Sequence, residues 1–413
     1  MDVIRPHIPR AAHEALERAL GSFPLVVVTG ARQTGKTTLV RGVPALAGRP
    51  FLSLDDPEVR DQARRDPAAL LERGPDLILD EVQHAPDLLL AVRSAVDAEQ
   101  TKRPGRFVVT GSADLLLMER FSATLGSRAH YLELWPLTRR ERHGLGRAGR
   151  WSELFGATLR DWPQLLDARA DQIPAEDWHV LSAMGGLPVP AHALQTQEER
   201  ARWFDDYVDA YLDRDLQALA RIDDVAGFRR LLRSVARRAG TVVNQADVAR
   251  EIAVPRPTVH RWLDLLETSF QIVRIPALAE GDGKRLVKSP KVYLADVALT
   301  RHLAGGEPAG AHLESLVLAD LLAWRELVDP WPEILHWRTF NEEKVDFVVE
   351  LGSALLAVDV RTTTRPSYQD ARHLRTFRAA YGPAVKGALL LHCGKETFWV
   401  SEGVLAVPWW LVI

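Results

Sequence analysis

Residues 30–37 have the residue types and the spacing that a phosphate-binding loop requires. Their sequence, G-A-R-Q-T-G-K-T, fits the pattern G-x-x-x-x-G-K-[ST] in full. The glycines of such a loop let backbone N–H groups approach phosphates closely. Lys36 is predicted to reach the β- and γ-phosphates, and the Thr37 hydroxyl to ligate Mg²⁺. The predicted cofactors are ATP and Mg²⁺, and the predicted nucleotide-binding residues are Gly30, Ala31, Arg32, Gln33, Thr34, Gly35, Lys36, Thr37 and Thr38.

A pair of carboxylates ends the apolar run L-I-L-D-E at residues 77–81. Asp80 is predicted to hold Mg²⁺ through water, and Glu81 to orient or deprotonate the attacking water. Ser112, at the end of the next apolar run, is a candidate sensor of the γ-phosphate, with a simple turn as the alternative. Arg128 is a candidate arginine finger acting on a neighbouring subunit, with a surface salt bridge as the alternative.

These residues must be positioned by strands and helices, and the sequence around them alternates short apolar runs with helical patterns. Predicted strands lie at 24–29, 77–79 and 107–110, and each ends in small or polar residues. A parallel sheet brings such carboxyl ends to one edge, where doubly wound folds bind their ligands. The sequence therefore predicts an α/β fold for about the first 140 residues.

A second pattern predicts a helix-turn-helix with a wing. Asn244 caps a helix at Gln245–Ile252, and a turn leads to a second helix at residues 258–267. Strands predicted at 270–275 and 291–295 follow. Such a winged helix would bind DNA, duplex or branched, or would serve as a protein-contact module. The candidate DNA contacts are Arg256, Thr258, His260 and Arg261 on the second helix, and Lys284 and Arg285 on the wing.

The helix predicted before it, at residues 228–238, carries a row of arginines. These arginines could contact phosphates and make binding strongly salt-dependent. The alternative is a solvated basic face paired with nearby acids such as Asp223 and Asp224.

The C-terminal part contains spaced acids, with Glu314 on a predicted helix and Asp346 and Asp359 on adjacent predicted strands. This pattern resembles the PD-(D/E)XK nuclease core. In an active enzyme the two aspartates would share a metal, and a lysine would stand where this chain has Arg361. Arginine is not deprotonated in proteins, so it cannot act as a base. We therefore expect a retained fold used for binding or assembly, with an ATP-regulated nuclease as the alternative.

Together these motifs resemble those of a large group of bacterial and archaeal AAA-type ATPases, which carry a C-terminal domain of unknown function. The resemblance implies ATP hydrolysis in an oligomer. It rests on residues 30–38, 54–57, 80–83, 110–112, 134–138 with Glu141, 185–188, 211–216 and 288–293.

The bulk composition is that of a globular protein, with 46% hydrophobic and 26% charged residues among 413. The formal net charge is −3, so any affinity for DNA must come from local basic clusters. Cys393 is the single cysteine, which excludes an internal disulfide. We see no signal peptide and no apolar stretch of about 20 residues, and expect a cytoplasmic protein without a membrane span.

We expect a multidomain homo-oligomer that couples ATP hydrolysis to DNA binding or remodelling. The alternative to DNA is a nucleotide-dependent switch that acts on a protein partner. The predicted domains are an AAA-type ATPase domain at 1–142, a helical lid or linker at 143–220, a winged-helix domain at 221–300 and a nuclease-like α/β domain at 301–413.

Overall fold

The structure is a computed structural model, and it describes residues 8–98, 103–112, 128–167, 173–211, 222–278, 289–339 and 342–413. Across those ranges, no helix combines the length and the apolar composition needed to cross a membrane. Short 3-10 turns lie at Pro44–Leu46, Val82–His84, Leu159–Asp161 and Gly382–Ala384.

The N-terminal region is built on a parallel sheet with strand order β2-β3-β4-β1-β5. Its strands are β1 Leu25–Gly30, β2 Phe51–Ser53, β3 Leu77–Asp80, β4 Phe107–Ser112 and β5 Ala129–Glu133. The predicted strands are confirmed as β1, β3 and β4. Strands β2 and β5 were not predicted from the sequence, because β2 is short and β5 mixes polar with apolar residues.

Helices cover both faces of this sheet. The helices of the N-terminal region are α1 Ala12–Ser22, α2 Lys36–Gly42, α3 Pro57–Arg65, α4 Pro67–Leu71, α5 Leu88–Asp97 and α6 Arg139–Arg142. Successive residues of a strand point to opposite faces. Val26 therefore packs with Leu16 of α1 and Leu39 of α2, whereas Val27 packs with Leu88 of α5.

The middle region is mainly helical. Its helices are α7 Trp151–Gly156, α8 Trp162–Leu165, α9 Trp178–Met184, α10 Pro188–His192, α11 Gln197–Ala210, α12 Val225–Ala236, α13 Gln245–Ile252, α14 Arg256–Thr268 and α15 Val297–Ala304. An antiparallel sheet of order β6-β8-β7 completes it, with β6 Thr241–Val242, β7 Ile272–Ile275 and β8 Lys291–Leu294.

The predicted helix at Gln245–Ile252 is confirmed, but the next helix begins at Arg256 rather than at residue 258. Pro257 lies in its first turn, where the missing N–H removes no helical hydrogen bond. β7 begins at Ile272 rather than at residue 270, because Phe270 has a φ of 56° and cannot extend the strand.

The C-terminal region is a mixed sheet of order β13-β14-β12-β11-β10-β9 with helices against it. Its strands are β9 Glu333–Arg338, β10 Lys344–Leu351, β11 Ala354–Val360, β12 Val385–His392, β13 Phe398–Ser401 and β14 Val404–Pro408. Its helices are α16 Gly310–Arg325, α17 Arg372–Tyr381 and α18 Trp409–Val412. The predicted adjacent strands are confirmed as the antiparallel pair β10 and β11.

Buried arginines of α6 join the N-terminal region to the last residues of the chain. Arg139 Nη1 donates to the carbonyls of Trp410 at 2.9 Å and Ile413 at 3.0 Å. Arg140 Nη1 donates to the carbonyl of Val412 at 2.7 Å. The first and last regions of the chain therefore pack directly on each other.

Candidate functional site

The loop at residues 30–37 connects the end of β1 to the start of α2, as expected from the sequence. Gly30 has a φ of 144° and Gly35 a φ of 97°, a backbone region that suits glycine. A Cβ on Gly30 would also lie 2.4 Å from the Leu134 carbonyl oxygen. Glycine is therefore required at the first position both by backbone conformation and by space.

Lys36 is buried and folds back over the loop. Its Nζ donates to the carbonyls of Ala31 at 2.9 Å and Gly30 at 3.1 Å. Its side chain stays on the loop, and the residue is 4% exposed. The ammonium thus lies at the concave loop where a phosphate would be cradled.

Thr37 and Asp80 meet beside the loop. The Thr37 hydroxyl donates to Asp80 Oδ1 at 2.9 Å, and the Thr110 hydroxyl donates to the same oxygen at 2.5 Å. The Ser53 hydroxyl is 3.4 Å from Asp80 Oδ2. Oxygen ligands of this kind suit Mg²⁺, which usually keeps several waters and takes few protein ligands. The donor set therefore fits the predicted metal.

Glu81 follows β3 directly, at the same edge of the sheet. Its φ of 57° lies in the left-handed region, which is uncommon for a residue with a side chain. Its backbone N–H donates to the Thr110 hydroxyl at 3.2 Å, and the Gln83 amide donates to its carboxylate. A strained backbone held by neighbouring hydrogen bonds is common at functional sites.

Ser112 and Arg128 lie at opposite ends of the sheet. Ser112 pairs in register with Gly30, so its backbone is beside the loop. Arg128 precedes β5, whose first residue pairs with Leu25 at the far end of β1. Arg128 forms an ion pair with Asp97 at the end of α5. The length of β1 separates Arg128 from the phosphate-binding loop of its own chain, so Arg128 cannot act there. Its action at the loop of a neighbouring subunit stays a prediction.

The candidate DNA contacts on α14 are at the surface. Arg256, His260 and Arg261 are exposed, and Thr258 is half-buried. His260 Nε2 is 3.5 Å from Asp264 Oδ2, one helical turn away. Lys284 and Arg285 lie outside the described residues.

A groove of about 910 Å³ opens at the start of α14. It is lined by the polar or charged residues Asn244, Gln245, Arg256, His260, Arg274 and Ser289, together with apolar neighbours. Arg274 is engaged by Glu267 and Asp264 on α14. Arg256 therefore supplies the positive charge at this end of the groove.

The arginine row on α12 is largely paired with acids. Arg229 contacts Asp209, and Arg230 contacts Asp224 at 3.6 Å. Arg237 and Arg238 both contact Glu251. The alternative of a solvated basic face paired with nearby acids is confirmed for these residues.

The C-terminal acids come together, and a lysine from another region lies among them. Lys291, the first residue of β8, has its Nζ 2.9 Å from Asp346 Oδ1 and 3.5 Å from Glu314 Oε2. Arg361 Nη2 is 2.6 Å from Asp359 Oδ2, and its Nη1 is 3.9 Å from Asp346 Oδ2. Both aspartates are 0% exposed. We call these five residues the acid–lysine cluster.

Burial and mutual charge shift the pKa values within the acid–lysine cluster. Burial, aided by the charge of Asp346, raises the pKa of Glu314 to about 7 and also raises the pKa of Asp359. Burial would raise the pKa of Asp346 too, but the Lys291 ammonium holds it below its ordinary value. Burial disfavours the ammonium, yet the charges of Asp346 and Glu314 raise the pKa of Lys291. Lys291 and Asp346 are therefore a charged pair inside the protein.

The acid–lysine cluster does not fit the metal of a nuclease. The Lys291 ammonium lies where the carboxylates would hold a cation, and the Tyr293 hydroxyl also donates to Glu314 Oε2 at 2.8 Å. In the part of the chain that the structure describes, no three His, Cys, Asp or Glu side chains are grouped as metal ligands. Lys291 was not predicted as a site residue. The sequence showed it only as part of the 288–293 segment and as a charged residue at the start of the apolar run K-V-Y-L.

Three parts of the chain match models of known families. Residues 22–143 match an AAA domain. Residues 175–309 match a domain of unknown function (DUF8612), and residues 309–412 match another (DUF4143).

The chain is 31% identical over 411 residues to the uncharacterized protein Rv2008c of Mycobacterium tuberculosis. The match covers 97% of this chain and 83% of that protein, and Mb2031c of Mycobacterium bovis matches equally. Among solved structures, the Walker-type ATPase PABY2304 of Pyrococcus abyssi matches with 15% identity and a TM-score of 0.43. That match covers 73% of this chain and 98% of the archaeal chain.

Proposed function

This chain belongs to the family of AAA-domain proteins that includes Rv2008c, and on that premise we propose that it is an Mg²⁺-dependent ATPase. The observation that carries the proposal is the contact between Thr37 of the loop and Asp80 of β3. It joins both halves of a nucleotide site that lie far apart in sequence. ATP is the proposed substrate, and ADP and phosphate are the products.

Each residue of the site has a distinct proposed role. The N–H groups of the loop and the Lys36 ammonium bind the β- and γ-phosphates. Thr37 directly and Asp80 through water would hold Mg²⁺, which when bound would offset the charge of the phosphates. Glu81 accepts a proton from the attacking water or orients it, and Ser112 senses the γ-phosphate.

Lys36→Ala is expected to weaken binding of ADP by roughly 10- to 100-fold, because Lys36 is proposed to bind the β-phosphate and a hydrogen bond to a charged group contributes about 1.5–3 kcal/mol. The measurement is titration of a fluorescent ADP analogue in Mg²⁺. Lys395→Ala, which removes an exposed lysine of the C-terminal region, is the matched control and should bind as the unchanged protein does. Equal binding by Lys36→Ala would remove the nucleotide site from the proposal.

We propose that hydrolysis is coupled to DNA through the middle region. The supporting observations are the helices α13 and α14 followed by β7 and β8, which is the order of a winged helix, and the exposed arginines of α14. The paired arginines of α12 contribute less to such a surface. The alternative is a nucleotide-dependent switch in which the same groove binds a protein partner.

A double variant, Arg256→Ala with Arg261→Ala, is expected to weaken DNA binding and to lower the slope of log affinity against log salt by about 2, roughly one for each phosphate that is no longer neutralised. Fluorescence anisotropy with duplex and branched DNA at several salt concentrations measures this. The control is Arg250→Ala on α13, an exposed arginine paired with Asp247. Absence of salt-dependent binding by the unchanged protein would favour the protein-partner switch.

A neighbouring subunit is part of the proposal. Arg128 lies at the opposite end of β1 from its own loop, so it could reach a γ-phosphate only in another copy of the chain. Its ion pair with Asp97 would have to open for that role. A homo-oligomer is therefore the proposed working form.

Nuclease activity is not part of the proposed function, since the Lys291 ammonium neutralises the carboxylates that a metal would need.

A further inference from the structure

Arg10, just before α1, is a buried arginine that contacts the phosphate-binding loop. It is 6% exposed. Its Nη1 donates to the carbonyl of Thr34 at 2.9 Å, and its Nη2 donates to the carbonyl of Trp135 at 2.6 Å. Its Nε lies 3.2 Å from Glu141 Oε1. One guanidinium thus joins the loop to the segment that follows β5 and to α6.

The contact of Arg10 with the Thr34 carbonyl also determines the direction of the next backbone N–H group. A trans peptide is planar, so its C=O and N–H point in opposite directions. The Thr34 carbonyl and the Gly35 N–H belong to the same peptide. Because the Thr34 carbonyl points toward the Arg10 guanidinium, the Gly35 N–H must point away from it.

Resting on the proposed ATPase function, we propose that Arg10 is a positioning residue for the nucleotide site. It fixes the Thr34–Gly35 peptide so that the Gly35 N–H is preset to donate to a phosphate oxygen. Arg10 itself does not touch the nucleotide in this role. Preorganised N–H donors bind an anion without first having to reorient.

A guanidinium is the suitable group for this position. Its planar fork donates to separate acceptors in fixed directions, whereas an ammonium is a compact point charge on a flexible stem. Glu141 has further partners, since its Oε1 also accepts from the Ala11 N–H at 2.8 Å and its Oε2 from the Thr138 N–H at 2.8 Å. Both of these N–H groups lie outside the loop, whereas the two carbonyl contacts fix where the Arg10 guanidinium lies.

The test compares Arg10→Met with Glu141→Gln. Arg10→Met is expected to raise the Kd for Mg·ADP by roughly 10- to 100-fold, the range for one hydrogen bond to a charged group. Glu141→Gln removes the ion pair but leaves both carbonyl contacts of Arg10, so its Kd should change by less than about threefold even though its thermal stability falls. Binding is measured well below the unfolding temperature of each variant.

Arg10→Lys provides a second measurement if Arg10→Met folds poorly, and its Kd should lie between those of the unchanged protein and the methionine variant. The proposal is overturned if the Arg10 variants bind Mg·ADP normally. It is also overturned if loss of affinity follows loss of stability equally in the Arg10 and Glu141 variants, since the role would then be structural. An unchanged protein that binds no nucleotide would instead reject the proposed ATPase function, and the role of Arg10 with it.

Discussion

Glu81→Gln is expected to lower the rate of ATP hydrolysis by about 10²–10⁴-fold, the range for loss of a general base. Nucleotide affinity should stay nearly unchanged, because the substitution keeps the side chain's size and Glu81 is not a proposed phosphate or metal ligand. The backbone contact with Thr110 does not involve the side chain and should persist. Single-turnover phosphate release gives the rate, and titration with Mg·ADP gives the affinity.

Asp80→Asn provides the contrast on the adjacent residue. Asp80 accepts from Thr37 and Thr110, so this variant should weaken the Mg²⁺-dependent part of nucleotide binding as well as turnover. Slower turnover with normal affinity in Glu81→Gln, together with weaker Mg²⁺-dependent binding in Asp80→Asn, would support separate roles for the two carboxylates. If Glu81→Gln loses affinity as much as Asp80→Asn does, the assignment of Glu81 to water is wrong.

Lys291→Met is expected to destabilise the protein by about 3–5 kcal/mol, the usual result of removing one partner from a buried ion pair. Methionine keeps most of the length of the side chain, so the main effect is the charge left on Asp346, which is 0% exposed. Urea unfolding followed by tryptophan fluorescence measures the free energy of unfolding. Trp337 and Trp409 are buried in the C-terminal region and report on it.

Two further variants test whether charge is the cause. Lys344→Met removes an exposed lysine from β10, the strand of Asp346, and should change stability by about 0.5 kcal/mol or less. Adding Asp346→Asn to Lys291→Met should recover roughly half or more of the lost stability, because the buried charge disappears. A Lys291→Met protein as stable as Lys344→Met would contradict the paired-charge account.

The candidate nucleotide site could be predicted from the sequence because each of its two parts is a contiguous stretch. A loop of fixed spacing and an acidic strand end are local patterns, and a parallel sheet necessarily brings their carboxyl ends to one edge. The acid pattern at Glu314, Asp346 and Asp359 was found for a similar reason, since it follows a helix and adjacent strands.

Arg10 and Lys291 could not be found in that way. Each acts on groups far along the chain, with 125 residues between Arg10 and Trp135 and 55 between Lys291 and Asp346. Arg10 belongs to no motif named above, and the 288–293 segment that contains Lys291 indicates no role for its side chain. A charged residue in a single sequence is expected at the surface. Only the packing of separate regions decides that these two are buried, and Lys291 changes the interpretation of the acids from a metal site to a paired cluster.

The contacts of α6 with the last residues affect the order in which the protein can fold. Arg139 and Arg140 are made early during synthesis, but the carbonyls that they bind lie more than 270 residues later, with separations of 271 and 272. Until those residues emerge from the ribosome, the guanidinium N–H groups that bind them must remain hydrated, because burying these donors without acceptors is costly. Domains generally fold as units from the N-terminus. The N-terminal region can therefore form its sheet early, but the face around α6 is completed only after residues 410–412 have left the ribosome.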